Sequence, residues 1–367
     1  MTPRDFVLVL STGLALAGGS SRAVADDEKS WTGESVVFTK YPRDIKFGNR
    51  VEGKEVYIIF HGKIPLKVRE DRDGWLRVHD GHAEGWADKD DFVLTAAAPA
   101  HFDRRVRADP TDDWALWMRA AAWRANGEYE NAVADYDECI RRDPTNVTAF
   151  NFRGMANFAR KEYDLAIADY GEAIRLDPTS AYHFNNRGTA WRSKKDHHRA
   201  MTDYDHAVRL DPTHALVSLN RSVEQLLVRD PGCVKSFQAV IDLRGYKGDK
   251  AVYAVVLGHL AADRAGDAAT AKRFLADSAG KLDPSWPEPV VGFLRGDLGE
   301  PALLKLATDD DKKTEARCFL GLHHAFKGRP AEALAHFRWV EEHGNTVFLE
   351  HGIAVAELER LDAAAKP

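Results

Sequence analysis

The chain has 367 residues, 44% of them hydrophobic, which fits a folded globular or repeat protein of two or three domains rather than a disordered one. A formal net charge of −6 argues against a partner built on a phosphate backbone, so nucleic acid is not an expected ligand. Three cysteines, Cys139, Cys233 and Cys318, with no Cys-x-x-Cys spacing, signal neither a disulfide framework nor a zinc site.

Residues 1–25 read as a signal peptide. Arg4 precedes an apolar run from Phe6 to Ala17, too short to span a bilayer comfortably, and Ala23-Val24-Ala25 supplies small residues for cleavage. A short hydrophobic helix or anchor is the alternative. No cysteine follows the run to carry a lipid. No later stretch reaches membrane-spanning length, so the expected location is periplasmic or secreted, with no transmembrane segment after signal removal.

Residues 26–97 have a β grammar. Val56–Phe60, Ile64–Glu70, Gly74–His79 and Gly85–Val93 are short and β-rich, and Asp73-Gly74 and Asp80-Gly81 are hairpin-type dipeptides between them. Ile64, Leu66 and Val68 alternate with polar residues, as in a half-buried strand. The runs Pro65-Leu66-Lys67-Val68, Gly74-Trp75-Leu76-Arg77-Val78, Gly85-Trp86-Ala87 and Phe92-Val93 resemble a bacterial SH3-like domain. The resemblance implies a small β-barrel and, for some members, binding of cell-wall peptides or glycans. Tyr57, Trp75 and Trp86 then form a ligand shelf, because aromatic faces stack on such ligands. The competing reading packs Trp86 into the barrel core with Trp75 as its cap. His79 and His82 flank a turn, with no third metal ligand evident.

Thr95–Pro99 is a compositional break. Residues 100–108 read as a half-repeat, with Phe102 where a second helix carries its aromatic. Then Asp109-Pro110-Thr111, Asp143-Pro144-Thr145, Asp177-Pro178-Thr179 and Asp211-Pro212-Thr213 recur every 34 residues. Proline stops a helix, and the threonine is expected to accept a backbone N–H at the start of the next one.

Leu116, Ala120, Trp123, Ala132, Tyr136 and Cys139 carry the small and aromatic positions of a first repeat. Phe150, Gly154, Phe158, Ala166, Tyr170 and Ala173 take those roles in a second, and Phe184, Gly188, Trp191, Ala200, Tyr204 and Ala207 in a third. Period and pattern resemble the tetratricopeptide (TPR) family, two helices per repeat. The fold class expected is therefore mainly α: a TPR-type α-solenoid over 98–230, continuing as degenerate helical repeats over 231–367 with a C-terminal capping helix, and preceded by the SH3-like β-barrel. Cys139 stands where the other repeats have alanine and reads as a small buried residue.

Arg119, Arg153, Arg187 and Arg221 replace the family's usual leucine, and Asp135, Asp169 and Asp203 recur on the second helices. Either the arginines bind an anion, or arginine and aspartate form a structural ladder. The carboxylates travel with the arginines, which favours the ladder. Arg221 faces Phe237 instead of an aspartate, so its expected partner is Asp203.

First helices line the concave face of TPR arrays, and in several members of the family asparagines there hold a peptide backbone. The resemblance thus implies a peptide groove at Trp117, Asn151, Phe152, Tyr182, Asn185, Asn186 and Asn220. A solvated groove, or asparagines bonded to neighbouring helices, is the alternative. The basic set of a carboxylate clamp is missing.

From Ala215 a fourth repeat decays: Gly232 interrupts it, and the alanine and second-helix aromatic are missing. A hairpin follows around Leu257-Gly258 and Gly266 to Phe274, then the elbow Trp286-Pro287-Glu288-Pro289 and short helices at 290–295 and 300–307. A last repeat holds Leu320-Gly321, Gly328, Ala333 and Phe337, with a terminal helix near 345–361. This tail resembles that of periplasmic TPR adaptor lipoproteins that regulate murein hydrolases, although the lipid-bearing cysteine is missing.

No catalytic motif is present, and His197-His198 and His323-His324 read as surface or groove histidines. No catalytic residue, metal or cofactor is expected. The expected function is a non-enzymatic protein–protein scaffold outside the cytoplasm, taking a partner peptide or protein in the concave groove. The alternative is a cell-wall (peptidoglycan) binder acting through the SH3-like domain.

Overall fold

The computed structural model describes residues 30, 35–38, 48–51, 54–57, 66–72, 75–79, 84–247, 249–346 and 348–365. The proposed signal peptide, both Asp-Gly dipeptides and His82 lie outside the described residues. The chain divides into two compact units, with the boundary between Ala98 and Pro99.

The first unit is an antiparallel sheet of seven strands: β1 (Ser35–Phe38), β2 (Gly48–Val51), β3 (Lys54–Tyr57), β4 (Leu66–Arg72), β5 (Trp75–His79), β6 (Glu84–Asp88) and β7 (Phe92–Leu94). Their order is β3-β2-β6-β5-β4-β1-β7. The alternation in β4 works as the sequence implies: Leu66 and Val68 are buried while Lys67 and Arg69 are exposed. Val36, Leu76, Val78, Ala87 and Phe92 complete that buried side, and Val37 is buried on the other face of β1. Two corrections arise. The single strand expected over Gly85–Val93 is two strands separated by a 3₁₀ turn at Lys89–Asp91, where Asp88 accepts the Asp90 N–H at 2.9 Å. Strands β1 and β2 were not expected, because a four-residue strand such as Gly48–Val51 carries no alternation to read.

The second unit is helical. Its first helices are α1 (Ala98–Ala108), α2 (Asp113–Ala125), α3 (Tyr129–Arg142), α4 (Val147–Ala159), α5 (Tyr163–Leu176), α6 (Ala181–Ser193), α7 (His197–Leu210), α8 (Ala215–Leu227) and α9 (Cys233–Arg244). They are followed by α10 (Asp249–Arg264), α11 (Ala268–Ser278), α12 (Glu288–Arg295), α13 (Glu300–Leu306), α14 (Asp310–Phe326), α15 (Pro330–His343) and α16 (Leu349–Ala364). Among the described residues none is long and apolar enough to cross a membrane.

Each Asp-Pro-Thr turn works differently from the expectation. The threonine donates rather than accepts: Thr145 gives its N–H (2.9 Å) and its hydroxyl (2.6 Å) to Asp143 Oδ1, and the other three turns repeat this. The aspartate closes an Asx turn, and after three of the four turns the next residue, Asp112, Asn146 or His214, caps the helix with its side chain, as when Asn146 accepts the Ala149 N–H at 2.9 Å. A hydroxyl next to a carboxylate is the better donor, so the acceptor role passes one place along the chain.

Within each hairpin a small residue meets a ring. A Cβ on Gly154 would lie 2.8 Å from the Tyr170 ring, and one on Gly188 would lie 3.0 Å from Tyr204. Phe102 of α1 is fully buried with its ring edge-on to Trp114 at 5.6 Å, covering the first repeat. In the second repeat, Asn157 and not Phe158 stands 34 residues from Trp191; it is buried and donates to Asp169 Oδ2 at 3.1 Å.

The fourth hairpin keeps the pattern shifted by one residue. Cys233 and Phe237, both fully buried, take the places of the alanine and aromatic that appeared missing. The one-residue offset hides this from a fixed period, although the connection from α8 to α9, residues 228–232, is longer than in the regular hairpins. Beyond it, α8, α10, α14 and α16 share one apolar core that contains Leu219, Val223, Val255, Leu320, Ile353 and Leu358. Helix α16 returns to α8: Arg360 Nη2 donates to the Leu227 carbonyl at 2.9 Å, and Arg229 reaches Glu357 at 3.3 Å. The second half is thus closed on itself.

Candidate functional site: the inner face of the first three repeats

The closed second half confines any groove to α2, α4 and α6. Positions one period apart show this directly. Met155 and Thr189 are half-buried, but Val223 is fully buried. Likewise Phe158 and Arg192 are half-buried where Leu226 is covered.

On the uncovered face a cavity of about 270 Å³ opens, lined by Arg124, Tyr129, Met155, Phe158, Asn186 and Thr189. Its walls are aromatic and aliphatic, with one guanidinium and one amide to orient a guest. Arg124 lies 5.1 Å over the Phe152 ring, and its buried Nε has no hydrogen-bond partner among the described residues. Burial pushes the Tyr136 hydroxyl up to about 12 against the opposing pull of Arg124. A larger cavity of about 370 Å³ touches Arg221, Ser236 and Asp242. It lies between α8 and α9, away from the inner face of α4 and α6.

The asparagines form a ladder among themselves. Asn186 donates to Asn151 Oδ1 at 3.0 Å, and Asn220 donates to Asn185 Oδ1 at 2.9 Å. Asn185 and Asn220 are buried, while Asn151 and Asn186 are half-buried. Trp117 packs edge-on against Phe152 at 5.9 Å, and Phe152 stacks on Tyr136 at 6.1 Å, so both belong to the packing between repeats. Tyr182 is 53% exposed, its ring against His214 at 4.8 Å. Of the expected groove set, Asn186 lines the cavity. Arg124, Met155, Phe158 and Thr189 were missed, although Met155 follows Asn151, and Thr189 follows Asn185, by one helical turn on the same face.

The arginines are structural. Arg119 holds Asp135 through two bonds of 2.6 and 2.8 Å, and Arg187 holds Asp203 through two of 2.8 Å. Three of the four also look backwards: Arg119 to Asp103 at 2.8 Å, Arg153 to Asp137 at 2.5 Å, and Arg221 to Asp205 at 2.6 Å, whereas the matching place behind Arg187 is Gly171. The partner of Arg221 is therefore Asp205, not Asp203, with Ser236 Oγ at 3.5 Å. Asp103, Asp137 and Asp205 share the 34-residue register, a signal that was present but unread.

In the sheet, Arg77 pairs with Trp86 and Trp75 with Asp88. Trp75 and Trp86 therefore share the face opposite the buried Leu76, Val78 and Ala87. Trp86 is half-buried and Trp75 is 49% exposed, so Trp86 does not pack the core. Tyr57 pairs with Gly48, which pairs with Trp86, placing Tyr57 in the same row across the strands.

The histidines are also corrected. His324 is buried, bonded to Glu300 at 3.0 Å, and His197 bonds Glu224 at 2.7 Å; neither is a free surface group. All three cysteines are buried thiols, and burial holds Cys139 up at about 12, out of the reactive range.

The tetratricopeptide repeat family model matches residues 118–181 and 153–215, so the chain carries TPR repeats there. Among solved structures, a tetratricopeptide repeat protein from Parabacteroides merdae is 14% identical, covering 66% of this chain and 98% of its own, with a TM-score of 0.47. YrrB, described as a TPR protein with an unusual peptide-binding site, is 16% identical over 54% of this chain and 98% of its own, TM-score 0.41. The first TPR of Spaghetti (RPAP3), bound to an HSP90 peptide, is 20% identical over 33% and 97%, TM-score 0.31. No curated protein matches the chain.

Proposed function

We propose that the protein is a non-enzymatic scaffold acting outside the cytoplasm, periplasmic or secreted, which seats a partner peptide on the inner face of α2, α4 and α6. The observation that carries this reading is the cavity between Arg124, Phe158 and Asn186, which combines apolar walls with an underused cation. An apolar or aromatic side chain fills the cavity, and a nearby carboxylate of the peptide meets Arg124. A photo-crosslinker placed at Phe158 tests it in the native cell envelope. Adducts with a discrete partner are expected from Phe158, and none from Leu165, which is 52% exposed on α5. Equal labelling from both positions would contradict the reading.

The row of Trp75 and Trp86 favours a second reading, that the sheet binds cell-wall glycan or peptide. Cosedimentation of the full chain with isolated peptidoglycan is expected to drop for Trp75→Ala and Trp86→Ala. No sedimentation of the unaltered chain would dispose of it.

A further inference from the structure

Three helices bring Glu300, His324 and His336 together away from the groove. Glu300 opens α13, His324 ends α14, and His336 lies in α15. His324 Nε2 stands 3.0 Å from one carboxylate oxygen of Glu300, and His336 Nε2 stands 3.2 Å from the other. The three donor atoms all lie within 4.8 Å of one another. The two imidazoles are parallel, 5.5 Å apart at 3°, and both are buried. The Glu300 side chain is 34% exposed, so the cluster opens to solvent on that side.

We propose that Glu300, His324 and His336 bind one divalent transition-metal ion of the zinc class, with a fourth position open to water beside Glu300. Two imidazoles and a carboxylate are a borderline-soft donor set suited to such an ion. With metal–ligand bonds of about 2.0–2.2 Å, tetrahedral ligand atoms stand about 3.4 Å apart. Each imidazole is already at that scale from its own oxygen of Glu300, so forming the site needs the two rings drawn closer and the carboxylate turned to present one oxygen to both.

Without metal, the carboxylate accepts an N–H from each ring. The ion takes the place of those two protons, and each neutral ring then carries its single proton on Nδ1 instead. Nothing on the far side of His324 prevents this, because its buried Nδ1 has no partner among the described residues. On His336, Arg317 Nη1 approaches Nδ1 at 3.5 Å, at the edge of hydrogen bonding. That guanidinium also lies 4.7 Å over the Trp339 ring, where it stays when Nδ1 takes up a proton. The site ties the short α13 to the α14–α15 hairpin.

The test uses the tag-free full chain, stripped by a chelator and titrated with Co²⁺ followed by visible absorption and with Zn²⁺ by calorimetry. One ion per chain is expected, with the intense visible bands of a four-coordinate cobalt site. Glu300→Gln, His324→Gln and His336→Gln should each weaken binding by about 100-fold or more, beyond what loss of an outer-shell partner does. Glu300→Gln keeps its size at a partly exposed position and so remains folded if a histidine variant does not. Absence of cobalt bands on the folded wild-type chain, or unchanged zinc affinity in Glu300→Gln, would overturn the site. So would imidazole nitrogen spectra in which both Nε2 atoms stay protonated under saturating Zn²⁺; the cluster would then be a hydrogen-bonded triad only.

Discussion

Arg153 on α4 grips Asp169 of its own repeat while reaching back to Asp137 of the preceding one, at 2.5 Å in both directions. One side chain thus fixes the angle within a hairpin and the stacking of hairpins on each other. Burial pushes the Asp169 carboxyl up even against the pull of Arg153 and Asn157, which marks the pair as a device for geometry more than for net stability. Asp169→Ala leaves the guanidinium without its inner partner and is expected to cost about 3 kcal/mol. Replacing both residues with Met and Leu is expected to cost less than that single change. Urea unfolding of the two variants beside the unaltered chain checks this, and a double variant less stable than Asp169→Ala would refute it.

Asn185→Ala removes the acceptor of a buried amide on Asn220, for an expected loss of about 1–3 kcal/mol. Its peptide affinity should be unchanged, because that bond faces the neighbouring helix. Asn186→Ala, at the cavity wall, should weaken peptide binding several-fold and cost little stability. Chemical denaturation alongside a binding assay separates the two asparagines, and exchanged outcomes would reverse the assignment.

Gly321→Ala tests the close approach of α14 and α15. Its Cβ would fall 2.3 Å from the Phe337 ring, and neither helix has room to retreat, because both belong to the closed core. A loss of about 1–3 kcal/mol is expected in thermal or urea unfolding. The same change at Gly352, where nothing lies within 4 Å, should be neutral or stabilising within that helix.

Glu350 is buried, and burial, reinforced by the charge of Glu315, raises its carboxyl to about 7. The unfolded chain releases this proton near pH 4.5 while the folded chain keeps it. Stability from this group therefore falls as pH rises between about 4.5 and 7, then levels off. Glu350→Gln should stabilise the protein at pH 8 by up to about 3 kcal/mol and give no gain at pH 4. Unfolding midpoints across that range decide it; a gain that grows towards acid would invert the sign.

Much of the helical unit is legible in the 34-residue beat, because each turn closes with local chemistry that a pattern records. Its limits are equally physical. A one-residue offset from the 34-residue period at Cys233 moved Phe237 and Ser236 out of register, which made the fourth repeat look decayed. The Glu300–His324–His336 cluster draws on three helices whose spacing repeats nowhere, so no sequence window contains it. Trp86 was open to two readings until strand register fixed its face, since a slip of one residue reverses every side chain. The groove asparagines were visible, but the division into Asn185, buried against Asn220 of α8, and Asn186, bonded to Asn151 of α4 at the cavity wall, depends on how the neighbouring helices pack.

The central claim is that the inner face of α2, α4 and α6 takes a peptide through the Arg124–Phe158 cavity. Its most direct measurement is selection from a random peptide library on the full chain, followed by fluorescence polarisation of the enriched sequences. The account predicts peptides that pair an apolar or aromatic residue with a nearby carboxylate, and a loss of about tenfold or more in affinity for Arg124→Ala and for Phe158→Ala, equivalent to about 1.4 kcal/mol each. Enriched peptides whose affinity ignores both substitutions would contradict it.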